Sequence, residues 1–412
     1  MQTLPAAFIS HLHIFTGNLT EMKKPGLLFL LIALAVAACS ADGNDNTLKT
    51  GAENTGEYLP LLEGRKVAVV ANQTSMVGQR HLVDTLISLG IEVKLIFAPE
   101  HGFRDLADDG AVITSGTDPV TGIEVISLYA SKKKPAPEDL SGIDAVIFDI
   151  QDVGTRFYTY LTTMCYVMEA CAENGKPFIV MDRPNPNGYY VDGPILDTAN
   201  YSSFVGIHPI PVVHGMTFGE YAGMVNGEGW LAGGIRCDLK VIRCSNYTHS
   251  TMYELPVIPS PNLPDMNAIY LYPSICFSEG TVLSCGRGTE FPFQVLGAPG
   301  MPDTGFSFTP EPSFGSSSPR HNGAVCYGID LRNALADGLV PKAEINLQWI
   351  IEMYKAYPEK EKFFTGYFDT LAGSSTLREQ IISGMRQEEI KATWKDGLDR
   401  FRAIRAKYLL YD

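Results

Sequence analysis

A chain of 412 residues that carries 46 acidic against 32 basic side chains has a net charge of −14. Its lysines and arginines are scattered, so no basic stripe exists to neutralise phosphates, and nucleic acid is excluded as a partner. Eight cysteines with no CxxC pair, in a chain long enough for a large core, argue for mostly buried thiols, although an exported chain could oxidise one or two pairs.

In chain order, Met22-Lys23-Lys24 opens a short basic segment, residues 27–38 are apolar, and "VAAC" ends at Cys39. Basic, then apolar, then small residues make a secretory signal, too short to span a bilayer comfortably. A cysteine directly after the small residues resembles a bacterial lipoprotein signal. Cys39 would then be the lipidated first residue, the membrane a partner through that anchor, and the location the periplasmic face or the cell surface. Residues 1–38 accordingly read as an upstream extension plus signal peptide. Residues 39–60, polar and acidic without periodicity, read as a flexible tether.

Residues 61–245 alternate apolar runs with amphipathic segments, which predicts a parallel α/β sheet. "KVAVVANQTS" is a strand, "RHLVDTLISLG" a helix closed by Gly90, and "EVKLIFAPEHG" the next strand. "SKKKP" at 131–135 reads as a solvated turn. "DAVIFDIQDVG" is a third strand and "YLTTMCYVMEACAENG" a helix; "PFIVMDRPNPNG" is a fourth strand, "GMTFGEYAGMVNGEG" a helix and "CDLKVIR" a final strand. Four strands run from an apolar interior into a polar cluster: Asn72 with Gln73, Thr74 and Ser75; Glu100 with His101; Asp149 with Gln151 and Asp152; Asp182 with Arg183 and Asn185. Open parallel sheets bind ligands outside the carboxyl ends of their strands, so these clusters predict a site on one edge.

Residues 246–412 are less regular and predict a smaller α+β domain. A Pro/Gly/Ser-rich stretch carries Asn262, Glu279, Arg287 and Glu290 in loops, and Gly286-Arg287-Gly288 lets a ligand or backbone approach closely. From 342 onward the pattern is helical, predicting a cap of helices on a small mixed sheet.

There is no GxGxxG after the first strand, no GxxxxGK[ST], no HExxH and no GxSxG, and no cofactor is expected. His101, Asp149, Asp152 and His214 suit a divalent ion by type, but they lack ligand spacing and no metal is expected.

"PEHGFR", "DIQDVGTRFYTYLTTM", "MDRPNPNG", "GPIL", "SFVG", "PIPVVHGMTFGEYA", "PSPNLP", "EGTVLSCGRGTEFPF" and "LGAP" follow one another in this order. In this the chain resembles the bacterial exo-β-N-acetylmuramidases, a glycoside hydrolase family, from about residue 61 to the C-terminus. The resemblance implies a Rossmann-like domain followed by a smaller one, with the active cleft between them. It also implies release of N-acetylmuramic acid from the non-reducing ends of peptidoglycan fragments, with muramyl saccharides as partners. Three positions depart from the family pattern. Asp105 follows "HGFR" where a small residue is usual, Ala130 replaces the glycine of "SLYG", and "GAPGMP" lacks an aromatic.

Glycoside hydrolysis needs an acid for the leaving oxygen and a second group that attacks or stabilises the sugar carbon. A strand-end glutamate in a cleft can be that acid, and the resemblance makes Glu100 the candidate, with His101 orienting it or touching sugar hydroxyls. Asp149, Asp152, Asp182 and Glu279 are all eligible as the second carboxylate, and the substrate's own N-acetyl oxygen is an alternative nucleophile. A buried lactyl carboxylate wants a bidentate arginine, and Arg156, Arg183 and Arg287 sit in matched loops. Tyr158 and Tyr160 would stack on a sugar ring or simply pack, and His214 with Glu220 would line the cleft or form a structural pair. Asn72, Gln151, Asn185 and Asn262 complete the expected binding set. A non-catalytic sugar-binding lipoprotein would use the same cleft.

Overall fold

The structure, a computed structural model, describes residues 46–104, 115–335 and 342–412. Cys39, the signal segment and Asp105 lie outside the described residues. The first elements are helix α1 (Thr55–Leu62), strand β1 (Lys66–Ala71), a small hairpin of β2 (Met76–Val77) and β3 (Arg80–His81), and helix α2 (Leu82–Ser88). Strands β4 (Glu92–Ala98), β5 (Gly116–Thr117), β6 (Glu124–Ser127) and β7 (Ala145–Asp149) follow, then helix α3 (Tyr160–Glu173) and strand β8 (Phe178–Met181). Helix α4 (Phe218–Glu228) and strand β9 (Leu239–Ile242) complete this part. The seven-stranded sheet has the order β5-β6-β4-β1-β7-β8-β9, parallel except for the edge strand β5, which runs antiparallel to β6.

The pleat explains why the strands read as unbroken apolar runs. Val67, Val69, Ile96 and Ile147 face one side and pack with Tyr58 and Leu62 of α1 and Leu82, Val83 and Leu86 of α2. Ala68, Val70, Phe97, Val146 and Phe148 face the other, against residues of α3 and α4. With both faces covered, alternation disappears from the sequence. The expected tether is shorter than predicted. Lys49 bridges Ser245, and Tyr58 and Leu62 are buried, so the chain joins the fold well before residue 61.

The remaining elements are helix α5 (Met266–Ile275), strands β10 (Val295–Ala298), β11 (Ser307–Phe308) and β12 (Cys326–Asp330), and helix α6 (Gln348–Ala356). Helices α7 (Lys360–Phe363), α8 (Gly366–Ala372), α9 (Thr376–Ile382), α10 (Gln387–Ala392) and α11 (Lys395–Arg405) end the chain. The small sheet is antiparallel throughout, in the order β10-β12-β11, rather than mixed. Its Leu296 and Ala298 belong to the same apolar cluster as residues of α3 and α4, and residues 47–412 form one compact unit. The seven described cysteines are buried free thiols. No helix among the described residues is long and apolar enough to cross a membrane.

Candidate active site

The chain leaves β4 into Pro99-Glu100-His101-Gly102, a turn closed by Gly102 N donating to Pro99 O at 3.1 Å. His101 sits in the left-handed region at φ 70°, and this turn delivers Glu100 and His101 to the wall of a cavity of about 490 Å³. That volume is in the range that buries a small molecule. Glu100 is only 7% exposed. Its Oε2 accepts from Thr159 Oγ1 at 2.7 Å, and its backbone oxygen accepts from Tyr160 OH at 3.2 Å. Tyr160 OH accepts in turn from Asn72 Nδ2 at 3.1 Å.

The floor is aromatic. Phe157, Tyr158, Tyr272 and Phe293 line it, with the Tyr272 ring edge-on to Phe157 at 5.4 Å and to Phe293 at 4.8 Å. Tyr158 OH donates to Pro259 O at 2.9 Å, and burial raises its phenol well above the usual value. The far wall carries Glu279 and Arg287, joined by Arg287 Nε to Glu279 Oε1 at 2.8 Å. The Arg287 guanidinium also lies 5.0 Å from the Phe293 ring centroid. Cys276 lines the same wall; its Sγ donates to Glu279 Oε2 at 3.6 Å, and burial pushes the thiol well up.

Backbone strain concentrates here. Five described non-glycine residues have positive φ, and three of them, His101, Ala130 and Phe293, line this cavity. Such conformations cost of order 1–3 kcal/mol each and collect where structure is held for function. Ala130, at φ 62°, occupies the position where the resembling family carries glycine, the residue that adopts this conformation without cost.

Of the expected site residues, the structure brings Glu100, His101, Tyr158, Glu279 and Arg287 to the cavity. The others lie elsewhere. Asp149 and Arg183 form a buried bidentate ion pair at 2.6 and 2.9 Å, with Arg183 also donating to Met76 O. Asp149 is therefore occupied and Arg183 is not open to a lactyl group. Arg156 donates to Pro194 O, Ile210 O and Leu371 O, so its charge holds loops together. Asp182 is fully buried and accepts from Arg183 N, Thr217 Oγ1, Gly219 N and Tyr411 OH; burial raises it to about 6.

Asp152 faces His214 Nε2 at 3.5 Å, both buried. Met216 N donates to His214 Nδ1 at 3.2 Å, which leaves the ring proton of the neutral imidazole on Nε2, facing the carboxylate. The expected His214–Glu220 pair does not form. Glu220 instead caps α4 through Thr217 N at 3.0 Å and meets His249 Nε2 at 2.9 Å. Gln151 donates to Asp152 O and Pro184 O, Asn185 to Met216 O and Asn262 to Gly315 O. Asn72 and Tyr160 support Glu100 from behind. No group of three or more His, Cys, Asp or Glu among the described residues is arranged to hold a metal ion.

Three segments of the wall had no assigned role in the sequence: the loop residues Tyr129, Ala130 and Lys133; the loop residues Ser203, Phe204 and Val205; and Tyr367, Thr370 and Leu371 of helix α8. The "SFVG" block was a signal for the second and the missing glycine of "SLYG" for the first. Nothing in the sequence marked the third.

Fold and cavity define the class: an α/β protein with a carboxylate-bearing, aromatic-floored cleft at the carboxyl edge of its parallel sheet. Residues 67–267 match the family model for the N-terminal part of the exo-β-N-acetylmuramidase NamZ, and residues 270–411 the model for its C-terminal part. The chain belongs to the NamZ exo-β-N-acetylmuramidase family. It is 38% identical over 409 residues to the peptidoglycan β-N-acetylmuramidase NamZ of Bacillus subtilis, covering 93% of this chain and 97% of that one. Two crystal structures of DUF1343-family proteins from Bacteroides fragilis are similar. One has TM-score 0.83 at 47% identity and the other 0.75 at 30%, each covering 89% of this chain and 99% of the other.

Proposed function

We propose that this chain is an exo-acting glycosidase that releases N-acetylmuramic acid from the non-reducing ends of peptidoglycan fragments, with Glu100 as general acid. The observation that carries the reading is that Glu100 and Glu279 lie on the wall of one aromatic-floored cavity in a chain of the NamZ family. Glu100 protonates the departing glycosidic oxygen. Glu279 is the second group, acting on the sugar carbon directly or by orienting the N-acetyl oxygen that attacks it. Arg287 fixes the Glu279 carboxylate by its 2.8 Å hydrogen bond, and the aromatic floor gives a sugar ring an apolar face to lie on.

The test is hydrolysis of a nitrophenyl β-N-acetylmuramide. Release of free N-acetylmuramic acid, with little release from the matching glucosaminide, is the expected result. A muramide that binds but stays intact would overturn the enzymatic reading in favour of a sugar-binding protein.

The same proposal extends to location. The segment ending at Cys39 supports export and lipidation of that cysteine, which would hold the enzyme at the periplasmic face or cell surface, where peptidoglycan fragments are met.

A further inference from the structure

We propose that Lys133 is a specificity-determining residue that pairs with the carboxylate of the muramic acid lactyl ether. The inference rests on the muramidase reading above and names the group that distinguishes a muramide from a glucosaminide. N-acetylmuramic acid differs from N-acetylglucosamine by one anionic substituent, so a discriminating site needs a cation facing the sugar.

The expected arginines do not supply it freely. Arg156 and Arg183 are buried on carbonyl oxygens and Asp149, and Arg287, although on the wall, is paired with Glu279. Lys133 also lines the cavity. It is the middle of three consecutive lysines whose neighbours are both taken. Lys132 Nζ meets Asp139 at 2.5 Å, and Lys134 Nζ meets Glu173 at 2.7 Å and Glu169 at 3.2 Å. Among the described residues, Lys133 is the lysine or arginine of the cavity wall that has no carboxylate partner. The run that reads as a solvated turn in the sequence is thus sorted by the fold: two ammonium groups face protein carboxylates and one faces the cleft.

Its position is prearranged. Lys133 Nζ stands 4.7 Å from the ring centroid of Phe204, itself a wall residue. That ring stacks on Tyr166 at 6.4 Å and leans on Tyr129 at 5.9 Å. The cation–π contact is modest at an exposed site. It holds the stem in place while hydrogen-bond donors of the ammonium stay available to a ligand. Since Lys133 is exposed, its pairing with a carboxylate is screened by salt and modest in size.

The test compares the wild type with Lys133→Met, which keeps an unbranched stem over Phe204 and removes the charge. Both are assayed on a nitrophenyl muramide and on the methyl ester of its lactyl group. The wild type is expected to prefer the free acid. Lys133→Met should lose about 2- to 5-fold of that preference, mainly through KM for the acid, and Lys133→Arg should retain it. The acid's KM should rise with ionic strength in the wild type and much less in Lys133→Met. An unchanged acid-to-ester ratio in Lys133→Met overturns the proposal while leaving the muramidase reading intact. If the wild type cleaves neither compound, the muramidase reading falls on its own. Calorimetry with free N-acetylmuramic acid then decides for the lysine if Lys133→Met binds more weakly than wild type, and against it if the two bind equally.

Discussion

Thr159 Oγ1 donates a 2.7 Å hydrogen bond to Glu100 Oε2 across 59 residues of sequence. Thr159 stands at the N-cap position of α3 but makes no side-chain cap bond there; its hydroxyl points at the carboxylate instead. The bond thus ties the turn after β4 to the start of α3 and fixes which way the acid faces. Thr159→Val keeps the shape and removes the donor. If Glu100 is the general acid, this bond strengthens as the carboxylate charge develops on proton transfer; a hydrogen bond to a charged group is worth about 1.5–3 kcal/mol, so kcat is expected to fall roughly 10- to 100-fold with KM little changed. Thr159→Ser should restore most of the loss. Steady-state kinetics on a nitrophenyl muramide check both.

Asp149 and Arg183 make the opposite case, a strand-end carboxylate held for structure. Asp149→Ala leaves the Arg183 guanidinium buried without its partner, and breaking such a pair costs about 3–5 kcal/mol. The midpoint of chemical denaturation should drop accordingly. Activity per folded molecule should stay within a few-fold of wild type, unlike that of any variant at Glu100.

These two carboxylates show how far the sequence could be read. Strands β1, β4, β7 and β8 were legible because each is covered on both faces and runs apolar over most of its length, and the edge strand β9 from its alternation of apolar residues with Lys240. Strand β6 was not, because its four residues are only partly buried and look like loop. Glu100 was legible from the Pro-Glu-His-Gly turn that ends a strand. Arg156 and Arg183 were misread because an arginine between polar residues looks the same whether it holds a ligand or its own backbone. Lys133, Phe204 and Tyr367 were invisible as a group. They line one cavity only because two loops and helix α8, from three distant parts of the chain, converge, a relation that no local pattern encodes.

Asp182 gives a pH prediction. Its carboxyl is raised from 3.8 to about 6, first by burial. Below 3.8 folded and unfolded states are both protonated, and the contribution to stability is complete. As pH rises through about 6 the folded state must ionise a buried group that the unfolded chain ionises easily, and the contribution is lost. Relative to Asp182→Asn, wild-type stability should therefore decline by roughly 3 kcal/mol between about pH 4 and pH 7. Denaturation curves of both proteins at the two pH values measure that difference directly.

For Cys39, the prediction is cellular. Two or more acyl chains on this residue would be the anchor, so Cys39→Ser should move the protein from the membrane fraction to the soluble exported fraction. A variant that still pellets with membranes in high salt would show that something other than lipid holds it.

Glu100→Gln isolates the proton. Glutamine keeps the size of the side chain and an oxygen for the Thr159 hydroxyl, but it has no proton to give. A muramide whose leaving group is another sugar needs protonation as the bond breaks, and its kcat/KM should fall by roughly 10²–10⁴. A nitrophenolate leaves without that help, so hydrolysis of the nitrophenyl muramide should suffer far less in its first step. The fold should survive, because Glu100 lines a cavity and contributes no apolar contact to either core cluster. The ratio of the two losses is therefore the diagnostic, independent of protein concentration or folded fraction. Equal, small losses on both substrates would make Glu100 a positioning residue. The acid would then be Glu279, the other carboxylate on the cavity wall among the described residues, and Glu279→Gln should show the split instead.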